Sequence, residues 1–103
     1  MAKSKDALKI LERVTGRGRA LRRRIEQETV NSRVARMIYD ARTAAGLTQQ
    51  QLAARIGTQQ PVIARLEDGD YPGHSLSMLQ RIATALALQL EVRMVPRRRR
   101  RAA

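Results

Sequence analysis

Along residues 33–45, "RVARMIYDARTAA", the apolar side chains Val34, Met37, Ile38, Ala41 and Ala45 recur with a 3.6-residue period. That spacing predicts a helix with one face turned to a core. Gly46 stands where a glycine is expected just past a helix end. Thr48 then predicts an N-cap for "QQQLAARI", and Gln51 three positions on completes a capping-box pattern. After Gly57, Thr58 is expected to cap "QQPVIARLE". Pro61 falls in the first turn of that segment, where its missing N–H would have had no partner in any case. "DGDYPG" is a turn cluster, and Ser75 is expected to cap a helix carrying Leu76, Leu79, Ile82, Ala83 and Leu86 on one face.

Upstream the pattern is less regular. Residues 6–14 place Leu8, Leu11 and Val14 near helical spacing, with Asp6 as the expected N-cap. "TGRGR" predicts an interruption, because two glycines within three residues oppose helix. A second helical pattern starts at Leu21 and Ile25, and a break is expected near Thr29–Ser32, where Asn31 or Ser32 would cap a new start. Downstream the period changes to two: Leu88, Leu90, Val92 and Met94 alternate with Gln89, Glu91, Arg93 and Val95 until Pro96. This predicts a short β-strand. A lone strand leaves its edges unpaired, so the same strand of a second copy is the expected partner, making a homodimer.

The centre of the chain meets a specific set of demands. Two helices that cross closely need a small residue early in the first, a turn residue tolerating positive φ, and inward apolar residues on both. Counted from Gln49 as position one, Leu52, Ala53, Ile56, Gly57, Ile63 and Leu66 fall at positions four, five, eight, nine, fifteen and eighteen. A plain αα-hairpin meets some of these demands. A helix-turn-helix needs all of them.

Charge adds a partner class. The net charge is +12, with +5 in residues 1–30, only +2 in residues 31–96 and +5 in Arg97–Arg101. A polyanionic partner follows, and the flanks carry most of the field. Arginine outnumbers lysine eighteen to three, favouring forked contacts to phosphate. The chain divides into a basic helical extension (1–30), a helical domain (31–87), the strand segment (88–96) and an Arg-rich tail (97–103). With 43% hydrophobic residues but no Phe and no Trp, the core must be aliphatic. The absence of cysteine removes disulfides and thiolate metal sites. No apolar run suits a signal peptide or a membrane span, so a soluble, cytoplasmic chain is expected. The one histidine, His74, has no partner implied by spacing, and no phosphate loop or metal-ligand cluster exists; neither an enzyme nor a cofactor is expected.

On these motifs, residues 33–95 resemble the Cro/C1-type (Xre) helix-turn-helix regulators. "ARTAAGLTQQQLA", "TQQPVIARLEDGD" and "LQLEVRMVP" together are most similar to the HigA-type antitoxins. The resemblance implies an all-α, five-helix, lambda-repressor-like domain with an N-terminal helical extension and a short C-terminal strand. It implies a recognition helix from Gln59 to Glu67, with Gln59, Gln60, Val62 and Arg65 facing base edges in an operator in the protein's own promoter. Thr48, Gln49 and Thr58 fall beside it at the DNA backbone, and Arg42 and Glu67 match a partly buried ion pair. Gln suits adenine, Arg suits guanine, and Val62 suits a thymine methyl. The antitoxin form adds a RelE/HigB-like toxin, bound through Leu8, Leu11, Leu21 and Ile25. The +5 charge of residues 1–30 opposes a basic partner. Free-standing repressors share the same motif, and a non-specific architectural DNA- or RNA-binding protein held by its arginine flanks is the reading from another class.

Overall fold

In the computed structural model, residues 2–97 are described, with side chains from Gly16 onward. Four helices follow one another: α1 (Ala2–Ala44), α2 (Gln49–Ile56), α3 (Gln60–Leu66) and α4 (Leu76–Ala85). The all-α expectation holds, but as four helices rather than five.

No fifth helix follows α4 among the described residues, and the expected extension is not separate, because α1 crosses "TGRGR" and Thr29–Ser32 without a break. Glycine lowers helix stability by only about 1 kcal/mol per residue. Apart from Thr15, the residues around Gly16 and Gly18 are Arg17, Arg19, Ala20 and Leu21, all good helix formers, and no proline intervenes. At the second expected break, the Thr29 hydroxyl donates to the Ile25 carbonyl at 2.7 Å, so its polar group is satisfied inside the helix. Neither Asn31 nor Ser32 caps anything; Ser32 instead lies against Gly69, where an added Cβ would come within 3.0 Å of its hydroxyl. Asp6 lies within the helical backbone rather than at its start.

The short helices follow their caps. The Thr48 side chain accepts from the Gln51 N–H while the Gln51 side chain accepts from the Thr48 N–H, closing the capping box. Ser75 caps α4 through the Met78 N–H. The expected Thr58 cap does not form. An N-cap side chain receives the N–H of the second or third helical residue, and from Thr58 the third would be Pro61, which has none. α3 therefore starts one residue later, with Gln59 extended at φ −102°, ψ 149° and Pro61 in the first turn.

Three helices end alike. After α1, α2 and α4, N–H groups bond back five and three residues: Leu47 to Arg42 and Gly46 to Thr43, Thr58 to Ala53 and Gly57 to Ala54, Leu88 to Ala83 and Ala87 to Thr84. This is the Schellman arrangement, which needs a left-handed residue. Gly46 and Gly57 supply it at φ 71° and 74°; after α4 it is Ala87, at φ 56°.

The core is one cluster of Ile38, Leu52, Ala53, Ile56, Ile63, Leu66, Leu79 and Ile82, with Ala35 and Ala83 also buried. Every apolar position of the sequence template is in it, and Leu52 and Ile63 are wholly inaccessible. Of the residues assigned to the core face of residues 33–45, only Ile38 is fully buried; Val34 and Ala41 are half-buried, and Met37 and Ala45 remain exposed. The segment after α4 has no regular secondary structure and forms no strand among the described residues. A strand exists only through backbone pairing, and a single chain presents no neighbour to it. Leu90 turns back against the core, whereas Leu88, Val92, Met94 and Val95 are exposed. No described helix is long and apolar enough to cross a membrane.

Candidate DNA-binding surface

The helix-turn-helix is the α2–α3 pair. Gly57, left-handed, reverses the chain, and Ala53 at 2% exposure is small enough for the two helices to close on one another. α4 packs behind α2. Arg81 donates to the Ile56 carbonyl and the Arg55 guanidinium to the Ala85 carbonyl, so basic side chains satisfy helix C-terminal carbonyls at both ends of this contact.

Arg42 and Glu67 are brought together although they are 25 residues apart. Arg42 Nε donates to Glu67 Oε2 at 2.7 Å and an Nη donates to Oε1 at 2.9 Å, a bidentate pair. The other Nη donates to the Leu47 carbonyl at 2.8 Å, tying the α1–α2 turn to the same group. The side chains are only 10% and 4% exposed. Hydrogen bonding to Glu67 raises the Arg42 pKa above its ordinary value, against the lowering effect of burial. Tyr39, not singled out by the sequence pattern, places its ring 5.3 Å from the Arg42 guanidinium. Among the described residues this pair is the core's only strongly buried charge.

A chain of side-chain amides runs outward from the pair. Gln49 Nε2 donates to Glu67 Oε1 at 3.2 Å, and Gln60 Nε2 donates to Gln49 Oε1 at 2.7 Å. Gln49, the first residue of α2, and Gln60, the first of α3, are thus braced on the ion pair rather than being independent helix ends. Gln60 keeps its Oε1 and a second N–H, the acceptor and donor that an adenine edge requires. No sequence period signals this link, since 11 and 18 residues separate its partners.

The remaining candidates distribute plainly. Gln59, Gln60 and Arg65 are exposed, Val62 and Thr58 are half-buried, and Thr48 is exposed while serving as a cap. Asp68 and Asp70 belong to the turn, the Asp70 N–H donating to Asp68 Oδ1 at 3.0 Å. His74 sits edge-on to Tyr71, its Nε2 2.6 Å from the Leu66 carbonyl, so it closes the end of α3. In the extension, Leu21 and Ile25 are exposed on α1; Leu8 and Leu11 lie outside the residues whose side chains are described, as do Arg98–Arg101. No group of three or more potential metal ligands exists among the described residues.

The arrangement can do one thing well: hold a short helix by both ends while its amide and guanidinium groups stay open to a groove. Neither curated proteins nor solved structures gave a match to the chain. Over residues 38–92, just over half its length, the chain matches the HTH_3 helix-turn-helix family model. The match spans the buried template positions, the Gly57 turn and the Gln49–Gln60 brace, and the chain belongs to this Cro/C1-type helix-turn-helix family of DNA-binding transcription regulators.

Proposed function

We propose that the protein is a sequence-specific repressor that binds, as a homodimer, an operator in its own promoter, with Gln59, Gln60, Val62 and Arg65 at base edges and Thr48, Gln49 and Thr58 at the backbone. The observation that carries this reading is the Gln60–Gln49–Glu67–Arg42 chain of hydrogen bonds, which holds the start of α3 rigid while leaving Gln60 and Arg65 open to solvent. Preorganised side chains lose less entropy on binding, and a bidentate base contact is worth about 1–3 kcal/mol of discrimination.

Support for the homodimer comes from residues 88–95. Among the described residues, the backbone from Gln89 onward makes no backbone hydrogen bond; Leu88 is exposed and lines, with Met37, Ala41, Leu79 and Leu86, a groove of about 280 Å³, and Val92 just beyond it is exposed. A second copy of the same edge is the partner whose backbone pattern matches it by symmetry. The antitoxin form is supported by Leu21 and Ile25, apolar and exposed on an α1 that runs beyond the domain; a RelE/HigB-like toxin is the partner it would cover.

The test is titration onto DNA from upstream of the gene and onto a shuffled fragment, at about 150 mM salt so that backbone attraction is damped. Tight binding to the upstream fragment alone, lost in Arg65→Ala, is the expected result. Equal binding to both fragments, indifferent to Arg65, would overturn the specific reading and leave the architectural one.

A further inference from the structure

The recognition surface uses few of the chain's positive charges. Residues 16–25 of α1 carry five arginines and no acid. Two nearby carboxylates are already occupied: Glu28 faces Arg24 at 3.8 Å, and Glu26 meets Arg97 at 3.4 Å. Arg17, Arg19, Arg22 and Arg23 are exposed and, among the described residues, make no ion pair. An uninterrupted α1 sorts them. Arg19 has Arg22 and Arg23 three and four residues on, so these three share one face, together with Glu26, whose charge is matched by Arg97, whereas Arg17 and Leu21 are four apart and lie with Ile25 on another.

We infer that Arg19, Arg22 and Arg23 form a second, sequence-independent site for the phosphate backbone of duplex DNA. Between Arg19 and Arg23 the helix rises about 6 Å, close to two phosphates of one strand at about 3.4 Å each along the duplex axis. Forked guanidinium groups suit phosphate oxygens, and side by side on a helix, with Glu26 among them taken up by Arg97, they repel one another. A polyanion removes that repulsion, so binding stabilises this stretch of α1, which contains Gly16 and Gly18 and packs on nothing described. Duplex DNA is favoured over a lipid surface because the apolar face is short: beyond Leu21 and Ile25 the same side continues as Glu28, Thr29 and Ser32. Duplex is also the polyanion that the helix-turn-helix brings close, raising its effective concentration.

The site goes beyond operator recognition and can fail or stand separately from it. The experiment compares wild type with the triple variant Arg19→Gln, Arg22→Gln, Arg23→Gln on a random-sequence duplex across about 50–200 mM salt. Each released phosphate contact contributes about 0.9 to the slope of log affinity against log salt. The expected result is a slope shallower by about 2–3, and an affinity loss equal on random and upstream DNA. Duplex should also raise the helical far-ultraviolet signal of wild type more than that of the variant, whose own folded signal stays at least as large. An unchanged slope overturns the inference. So does a slope change confined to single-stranded RNA or to anionic phospholipid vesicles. Arg65→Ala, which acts only on the gap between upstream and random DNA, keeps the two sites distinguishable.

Discussion

Arg42 is where a single residue has most influence. Its guanidinium holds Glu67, the Leu47 carbonyl and, through Glu67, Gln49. Removing one partner of a buried pair leaves the other charge stranded, at a cost of about 3–5 kcal/mol. Arg42→Ala is therefore expected to lower the melting temperature sharply. Because its raised pKa keeps Arg42 charged throughout the pH range in which the protein can be handled, the loss should not depend on working pH above the carboxylate range. Glu67→Ala should cost a similar amount, with the double variant far short of the sum, as a thermal-denaturation cycle would read. Additive losses would mean that the two side chains act independently. Arg65 is the contrast: exposed and outside the network, it should give, as Arg65→Ala, a 10- to 100-fold loss of operator preference with unchanged melting. The pairing of Arg42 with Glu67 was implied by the resemblance to the Cro/C1-type family, not by any spacing along the chain. Their link to Gln49 and Gln60 was given by neither, because it depends on how two helix starts sit against one carboxylate.

At the scale of elements, caps and turns decide what forms. The Thr48 and Ser75 caps and the Gly46 and Gly57 turns were all legible, since each rests on residues within about one turn of one another. Two failures show the limit. Thr58 was passed over because Pro61 lacks the N–H a cap there would use, and α1 ran through Gly16 and Gly18 because two modest penalties did not outweigh a long run of helix formers. Ala87 is the anomaly among the three Schellman ends, a Cβ-bearing residue at φ 56°. Left-handed backbone costs a non-glycine residue roughly 1–2 kcal/mol, against about 0.5–1 kcal/mol of extra entropy loss for glycine. Ala87→Gly should accordingly raise stability by about 0.5–1 kcal/mol, measured by chemical denaturation, while Gly57→Ala should lower it by at least as much. A destabilised Ala87→Gly would mean that the methyl group makes a contact worth more than the strain.

The described residues form an elongated body, with extents of 68 × 31 × 20 Å and a radius of gyration of 20.3 Å against about 13 Å for a compact chain of similar size. The cause is α1, whose 43 residues span about 65 Å while, among the described side chains, those that pack on the core come from its C-terminal third. Such a shape keeps the two proposed contact surfaces distinct: the arginine face of α1, and the groove that residues 88–91 line with α4. If the second is the dimer contact, sedimentation should give a dimer at micromolar concentration, and Val92→Asp, which places a charge on the exposed edge, should give a folded monomer with weaker operator binding. A wild-type chain that sediments as a monomer would sink the pairing.

What the amino-acid order determined alone was local and repetitive: the 3.6-residue faces, the caps, the glycine turns, and the apolar positions from Leu52 to Leu66 that identify a helix-turn-helix. These depend on neighbours a few residues away, so they can be read along the chain. The tertiary structure decided which surfaces meet. It buried Ile38 but left Met37 uncovered, braced Gln60 through Gln49 onto Glu67, and left residues 88–91 unpaired at the edge of a groove. These outcomes depend on groups distant in sequence arriving at one place, and no period or spacing encodes that meeting.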